Sequence, residues 1–432
     1  MPVRLQMTAR RFASTARKLA PVVDMHAHFL PKSWPDFASR HGGAGWPSMR
    51  HGGQLPSGTF GYGRACDAML MSGGRDFRPV TRACWDASAR LDDLDAAGVD
   101  VQVISATPIL FQWERPAAAA VDVARHFNDA ALEMCAGSGG RLRALCQVPL
   151  QDVDAACAEL ERAMASGHAG VHIGNHVGPR DLDDAELVAF LQCAADLGAP
   201  VLVHPWDMDP VAGRLDQHMM GWTVGMPLET HLSIVSMVLG GAFDKLPPSL
   251  KLCFAHGGGA FPFLLGRLEN AWLERSVARG KSLHPPSHYL DRFSVDSAVF
   301  DDRALKLLVD TMGAGRVMLG SDYPFPLGEQ QIGSLVRSCP TLSSTQKSMI
   351  LGANAADFFG LEYQVEAPAP TYVHPLTFPP LDVTQNLEAA AAAAGGGVRR
   401  VGHVTAAPIA GGMLPAAKRF QQQHGRMRRR PA

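Results

Sequence analysis

Five ionisable residues of this chain recur in one kind of setting. His26 and His28 stand one residue apart in the apolar run VVDMHAHFL. His204 closes VLVH, His256 closes CFAH, and Asp322 closes VMLGSD. A single histidine in an apolar run is ordinarily a satisfied core residue; five ionisable groups at the ends of four such runs point to a metal. Three imidazoles and a carboxylate suit zinc, one ion per chain, with a position left for a water that loses its proton near neutral pH. The expected ligands are His26, His28, His204 and Asp322. His256 reads as a fifth ligand or as the acid/base. The four ligands and a water already fill five positions, so the acid/base role is preferred, and imidazole chemistry suits it. The run VHIGN carries no lysine that could bridge two metals, which favours one ion.

Something must bring these run ends together. From Val22 to about Tyr363, short apolar segments alternate with amphipathic helical patterns such as DVDAACAELERAMASG, which opens on a capping acid and ends in glycine. The segments are VVDMHAHF, VDVQVISA, ALCQVPL, AGVHIG, PVLVHP, LKLCFAHGG, RFSVDSA and RVMLGSDYP. Continuous apolar strands imply burial on both faces and a parallel sheet. Eight strand–helix units predict an α/β fold, the (β/α)8 TIM barrel; a doubly wound open sheet is the alternative. In a barrel, chemistry gathers at the C-terminal ends of the strands. The i, i+2 spacing then turns His26 and His28 into the mouth together. Residues 31–86 read as an insertion, a lid or small subdomain. His172, His176, His218 and His231 read as core or surface histidines.

Of the 432 residues, 47% are hydrophobic and 19% charged, enough for a large core. The net charge of −1 hides an uneven split: residues 24–363 hold 27 basic and 38 acidic side chains. An acidic folded region argues against a nucleic-acid surface. The eight cysteines form no C-x-x-C pair, which fits a reducing compartment. No apolar run is long enough to span a membrane. Residues 1–21 have the Arg- and Ser-rich, acid-free composition of a transit peptide, with a structureless start as the alternative. Residues 364–432, rich in Pro, Ala and Gly and ending in GRMRRRPA, are expected to be disordered.

The motifs LPKSWPDF, CWD, VHPWDM, VGMPLET, FAHGGGAFPF and LGSDYPFPLGE resemble those of the amidohydrolase superfamily. Within it they are most similar to the metal-dependent 2-amino-3-carboxymuconate-6-semialdehyde decarboxylase family of tryptophan (kynurenine) catabolism. The resemblance runs from about Val22 to Leu361. It implies zinc on His26, His28, His204 and Asp322, with His256 as acid/base, and non-oxidative loss of CO2. It also implies Arg78 as a binder of a substrate carboxylate and Arg267 as a residue reaching the neighbouring site of a homodimer. Two guanidinium forks suit a dicarboxylate. Trp206 and Trp222 match family tryptophans near the metal, where they either stack on substrate or pack. The family setting implies a cytoplasmic enzyme, unless the leader directs it to a mitochondrion or other organelle. The rival readings are a related hydroxybenzoate decarboxylase, a lactone or amide hydrolase on the same metal frame, and a non-enzymatic scaffold.

Overall fold

Val-, Ile- and Leu-rich runs form eight parallel strands in the computed structural model, which describes residues 20–207 and 213–362. They are β1 (Val23–Phe29), β2 (Val101–Ala106), β3 (Leu142–Cys146), β4 (Gly170–Ile173), β5 (Val201–Val203), β6 (Leu252–Phe254), β7 (Ser294–Asp296) and β8 (Val317–Met318). Neighbours in the sheet follow chain order. The sheet curls back on itself beyond β8, where Tyr323 pairs with Ala27 of β1. The Met25 N–H donates to the Leu319 carbonyl at 2.8 Å, and the Asp322 N–H to the His26 carbonyl at 2.9 Å. The expected TIM barrel is therefore the fold; an open sheet would leave β1 without this partner.

Seven helices cover the barrel: α1 (Ala87–Ala97), α2 (Ala117–Ala136), α3 (Val153–Ala165), α4 (Ala185–Asp196), α5 (Met226–Leu239), α6 (Phe261–Glu274) and α7 (Asp302–Met312). Aspartates start four of them. Asp86, Asp152, Asp184 and Asp301 each accept from backbone N–H groups of the first turn of α1, α3, α4 and α7.

The lower half of the lumen is apolar. Val23, Met25, Val103, Leu145, Leu202, Cys253 and Met318 pack together there, with Phe358 of the last helical turn closing the floor. The pairing of β1 with β2 slips between Asp24 and Ala27, a bulge. Below it Met25 faces the lumen; above it Ala27 and Phe29 join the outer layer, which turns His26 and His28 inward. Strict alternation would have grouped Asp24 with the two histidines. The bulge instead sends its carboxylate behind the strand, to Gln102 and Ser321.

Part of residues 31–86 forms an antiparallel sheet of Pro47–His51, Ala68–Ser72 and Arg75–Val80. Tyr62 of this segment donates its hydroxyl to the Glu329 carbonyl and packs on Tyr323 at 4.4 Å between ring centres. The insertion is thus tied to the loop that follows β8. No helix among the described residues is long and apolar enough to cross a membrane, and all eight cysteines are free thiols. The expected transit leader lies almost wholly, and the tail wholly, outside the described residues.

Truncating the floor tests this packing. Phe358→Ala should lower unfolding free energy by about 3–5 kcal/mol, the range for a buried phenylalanine, read from urea denaturation. A cost below about 1 kcal/mol, the size of an ordinary substitution, would show that Phe358 does not close the core.

Candidate metal centre

The upper half of the lumen is where the polar strand ends meet. One ligand atom from each of His26, His28, His204 and Asp322 falls within 4.8 Å of all the others. The His26 and His28 Nε2 atoms are 3.3 Å apart, and His28 Nε2 is 3.0 Å from an Asp322 oxygen. Residues nearly 300 apart in the chain converge because β8 closes against β1. Gly320 permits that approach: a Cβ there would stand 2.7 Å from that of Asp296 and 2.9 Å from that of His26.

The donor set fits a divalent cation. His26 gives its Nδ1 side to the Asp296 carboxylate at 2.6 Å, which leaves the Nε2 lone pair facing inward. His204 donates Nδ1–H to the Pro205 carbonyl at 2.8 Å, while its buried Nε2 has no partner among the described residues. Imidazole nitrogens with one carboxylate oxygen match the preferences of zinc-like ions.

Asp296 was not foreseen, although RFSVDSA places it at a strand end by the same rule that found the others. Besides His26, its carboxylate accepts the Gly257 N–H at 2.9 Å and the Ala298 N–H at 3.0 Å. Gly257 follows His256, so one carboxylate orients a ligand and secures the turn beside the acid/base candidate. Arg90 is a second unforeseen support. It is fully buried and donates to the His28 carbonyl at 2.6 Å and to Gln102 at 2.8 Å. Gln102 in turn donates to Asp24. No local pattern marks an arginine of an outer helix as part of a lumen site.

Burial dominates the titration of the cluster. It pulls His28 down to about 4 despite the Asp322 contact. Burial and the surrounding imidazoles, His256 first, push His204 well below the ordinary histidine range. For His26 burial also pulls downward, but the hydrogen bond and charge of Asp296, then Asp322 and Asp24, outweigh it and leave the pKa raised. Burial works against ionised Asp322, yet the imidazoles beside it, His256 and His28 first, hold it well below the usual carboxylate range.

His256 stands beside the quartet. Its Nε2 is 3.8 Å from Asp322, and its ring centre is 4.8 Å from that of His204. His256 and Asp322 both adopt positive φ, 55° and 59°, a strained backbone of the kind that collects at functional sites. Arg78, on the insertion sheet, lies over the Phe325 ring at 4.3 Å and near Trp222 at 5.9 Å. Phe325 is itself 5.6 Å from His28. Burial lowers the Arg78 pKa, with Asp322 pulling the other way. Trp206 donates its indole N–H to the His176 carbonyl and packs edge-on against Trp113 at 5.8 Å. Arg267 is not drawn into this cluster; it is exposed on α6.

Metal uptake requires the lone pair of every ligand imidazole, so protons compete with the ion. His26 is the last of the three to lose its proton. Affinity should therefore rise with pH through a window above the ordinary value of 6.5. Asp296→Asn should move that rise to lower pH and weaken binding by about 10–100-fold at its plateau. Chelator competition over a pH series measures both; an unchanged profile would break the proposed link to Asp296.

A family model described as Amidohydrolase matches residues 23–361. The chain is 39% identical to the 2-amino-3-carboxymuconate-6-semialdehyde decarboxylase of Dictyostelium discoideum, spanning 79% of this chain and 92% of that one. It is 32% identical to the protein of the same name in Caenorhabditis elegans, over 79% of this chain and 94% of the relative. The fold matches the crystal structure of 2,6-dihydroxybenzoate decarboxylase from Rhizobium with a TM-score of 0.62 at 22% identity, covering 79% of this chain and 99% of that one. With its strand-end quartet in place, the chain belongs to the amidohydrolase family, as one of its metal-dependent decarboxylases.

Proposed function

We propose that this enzyme, with zinc at His26, His28, His204 and Asp322, decarboxylates 2-amino-3-carboxymuconate 6-semialdehyde without an oxidant. The products would be 2-aminomuconate 6-semialdehyde and CO2, a step of tryptophan catabolism. The observation that carries this reading is Arg78. Its guanidinium is half-buried beside the quartet, faces aromatic rings, and has no carboxylate bonded to it among the described residues. A cation so desolvated calls for an anion, and a substrate carboxylate supplies one with fork geometry.

The bound ion would supply Lewis acidity and make a water ionise near neutral pH. The chain's residues do the rest in this reading. Arg78 anchors one carboxylate, and Phe325 and Trp222 border the flat substrate. His256, whose Nε2 lies 3.8 Å from Asp322, draws a proton from solvent. It delivers that proton to the carbon bearing the departing carboxylate. The C–C bond breaks, its electron pair stays in the conjugated system, and CO2 leaves. Arg78 holds negative charge as it shifts in the transition state.

A homodimer completes the reading. Arg267 is exposed and forms no ion pair among the described residues, which leaves it available to a neighbouring site. Phe263, one turn earlier on α6, is 78% exposed, and Leu232 of α5 is 49% exposed. We place the enzyme in the cytoplasm; an organellar pattern from a full-length fluorescent fusion would instead assign residues 1–21 to targeting.

Freshly generated 2-amino-3-carboxymuconate 6-semialdehyde should lose its ultraviolet absorbance with zinc-loaded protein. No loss, together with turnover of a hydroxybenzoate, would transfer the assignment to the rival decarboxylase. His256→Ala should abolish turnover while zinc stays bound; loss of zinc would make His256 a ligand. Mixing His256→Ala with Arg267→Ala subunits should restore activity that neither variant has alone, since one of the two sites in each mixed dimer pairs an intact His256 with an intact Arg267. Failure to complement would remove Arg267 from the partner's site.

A further inference from the structure

Each ligand imidazole has a second nitrogen that needs a partner. For His26 that partner is Asp296, and for His204 it is the Pro205 carbonyl. His28 differs. Its Nε2 faces His26 and Asp322, but its Nδ1 is buried without a hydrogen-bond partner among the described residues.

His172 shows the complementary lack. It lies in β4 between Val171 and Ile173, which belong to the outer layer, so its ring turns into the lumen. It is wholly buried, and neither ring nitrogen has a hydrogen-bond partner among the described residues. Its ring centre is 5.9 Å from that of His28, 5.5 Å from His204 and 5.0 Å from Phe111. Leaving a buried polar group unpaired costs about 1–3 kcal/mol. Three such nitrogens in one corner of the lumen therefore call for a shared polar neighbour.

We propose that His172 holds the metal ligand His28 from behind through one buried water. The spacing favours it: rings 5.9 Å apart make no direct bond, and two hydrogen bonds of about 2.8 Å each fit between them. The donors also run in a consistent direction. His28 offers Nε2 to the metal, so Nδ1 carries the proton and donates to the water. The water donates to the lone pair of His172. A neutral imidazole has that lone pair. His172 is thus a positioning residue: it sets the tautomer and tilt of His28.

This inference rests on the metal reading above, and the test separates the two. Apo wild type, His172→Gln and His172→Leu are titrated with Zn2+ against a chromophoric chelator, with circular dichroism and the apo melting temperature as controls. The leucine variant should bind zinc about 10–100-fold more weakly while its apo form melts no lower than wild type. Glutamine, which can still bond the water, should stay close to wild type. Equal affinity for leucine and wild type, or equal losses in both variants, would overturn the role of His172 alone. A wild type that takes up no zinc would overturn the metal reading and this inference with it. Should the leucine variant not fold, a high-resolution crystal structure of the zinc enzyme decides. One ordered water within hydrogen-bond reach of His28 Nδ1 and a His172 nitrogen supports the proposal; its lack there defeats it.

Discussion

The hydrogen bond between His26 and Asp296, 2.6 Å long and fully buried, is the contact on which the site turns. A buried carboxylate is costly unless both of its oxygens find donors. Asp296 meets that condition with His26 and the backbone N–H groups of Gly257 and Ala298. The same three bonds fix the tautomer of a metal ligand and secure the turn that carries His256. The geometry of the quartet and that of His256 therefore share one anchor, on β7, a strand that contributes neither.

The scaffold spends irregularity where chemistry needs it. A bulge in β1 shifts the phase of the strand, so that Met25 seals the apolar floor and His26, its direct neighbour, begins the polar mouth. Beyond β8 the chain takes a left-handed step at Asp322, and after β6 another at His256. Such backbone persists only when its surroundings over-determine it. Here barrel closure, the Asp24–Ser321 bonds and the Asp296–Gly257 bond supply the restraint.

Electrostatics divides the mouth into two regions. On the lumen side, burial lowers the pKa of His28 and His204, Asp296 raises that of His26, and Asp322 is held ionised beside them, an arrangement that suits a cation once His26 gives up its proton. On the insertion side, Arg78 lies among Phe77, Trp222 and Phe325, a cation bordered by aromatic rings. His28 and Phe325 touch across the boundary. A substrate carboxylate bound by Arg78 would therefore sit within reach of the metal.

Much of this was written in local sequence. Apolar runs of strand length, acid-capped helices and histidines at i and i+2 are short-range patterns, and they pointed to the barrel and to the strand ends where the quartet and His256 meet. The alternation rule failed at Asp24, because a bulge depends on how β1 registers with β2 and leaves no mark in β1 itself. Arg90 and His172 were illegible for a related reason. One is an arginine in an outer helix and the other a histidine in a buried strand, and each acquires its meaning from its place beside His28, far away in the chain. The sequence by itself determined the donors, their strand-end positions and the class of ion they suit. Only the tertiary structure decided which nitrogen each imidazole turns inward and what stands behind it, because hydrogen bonds between strands exist only once the barrel has closed.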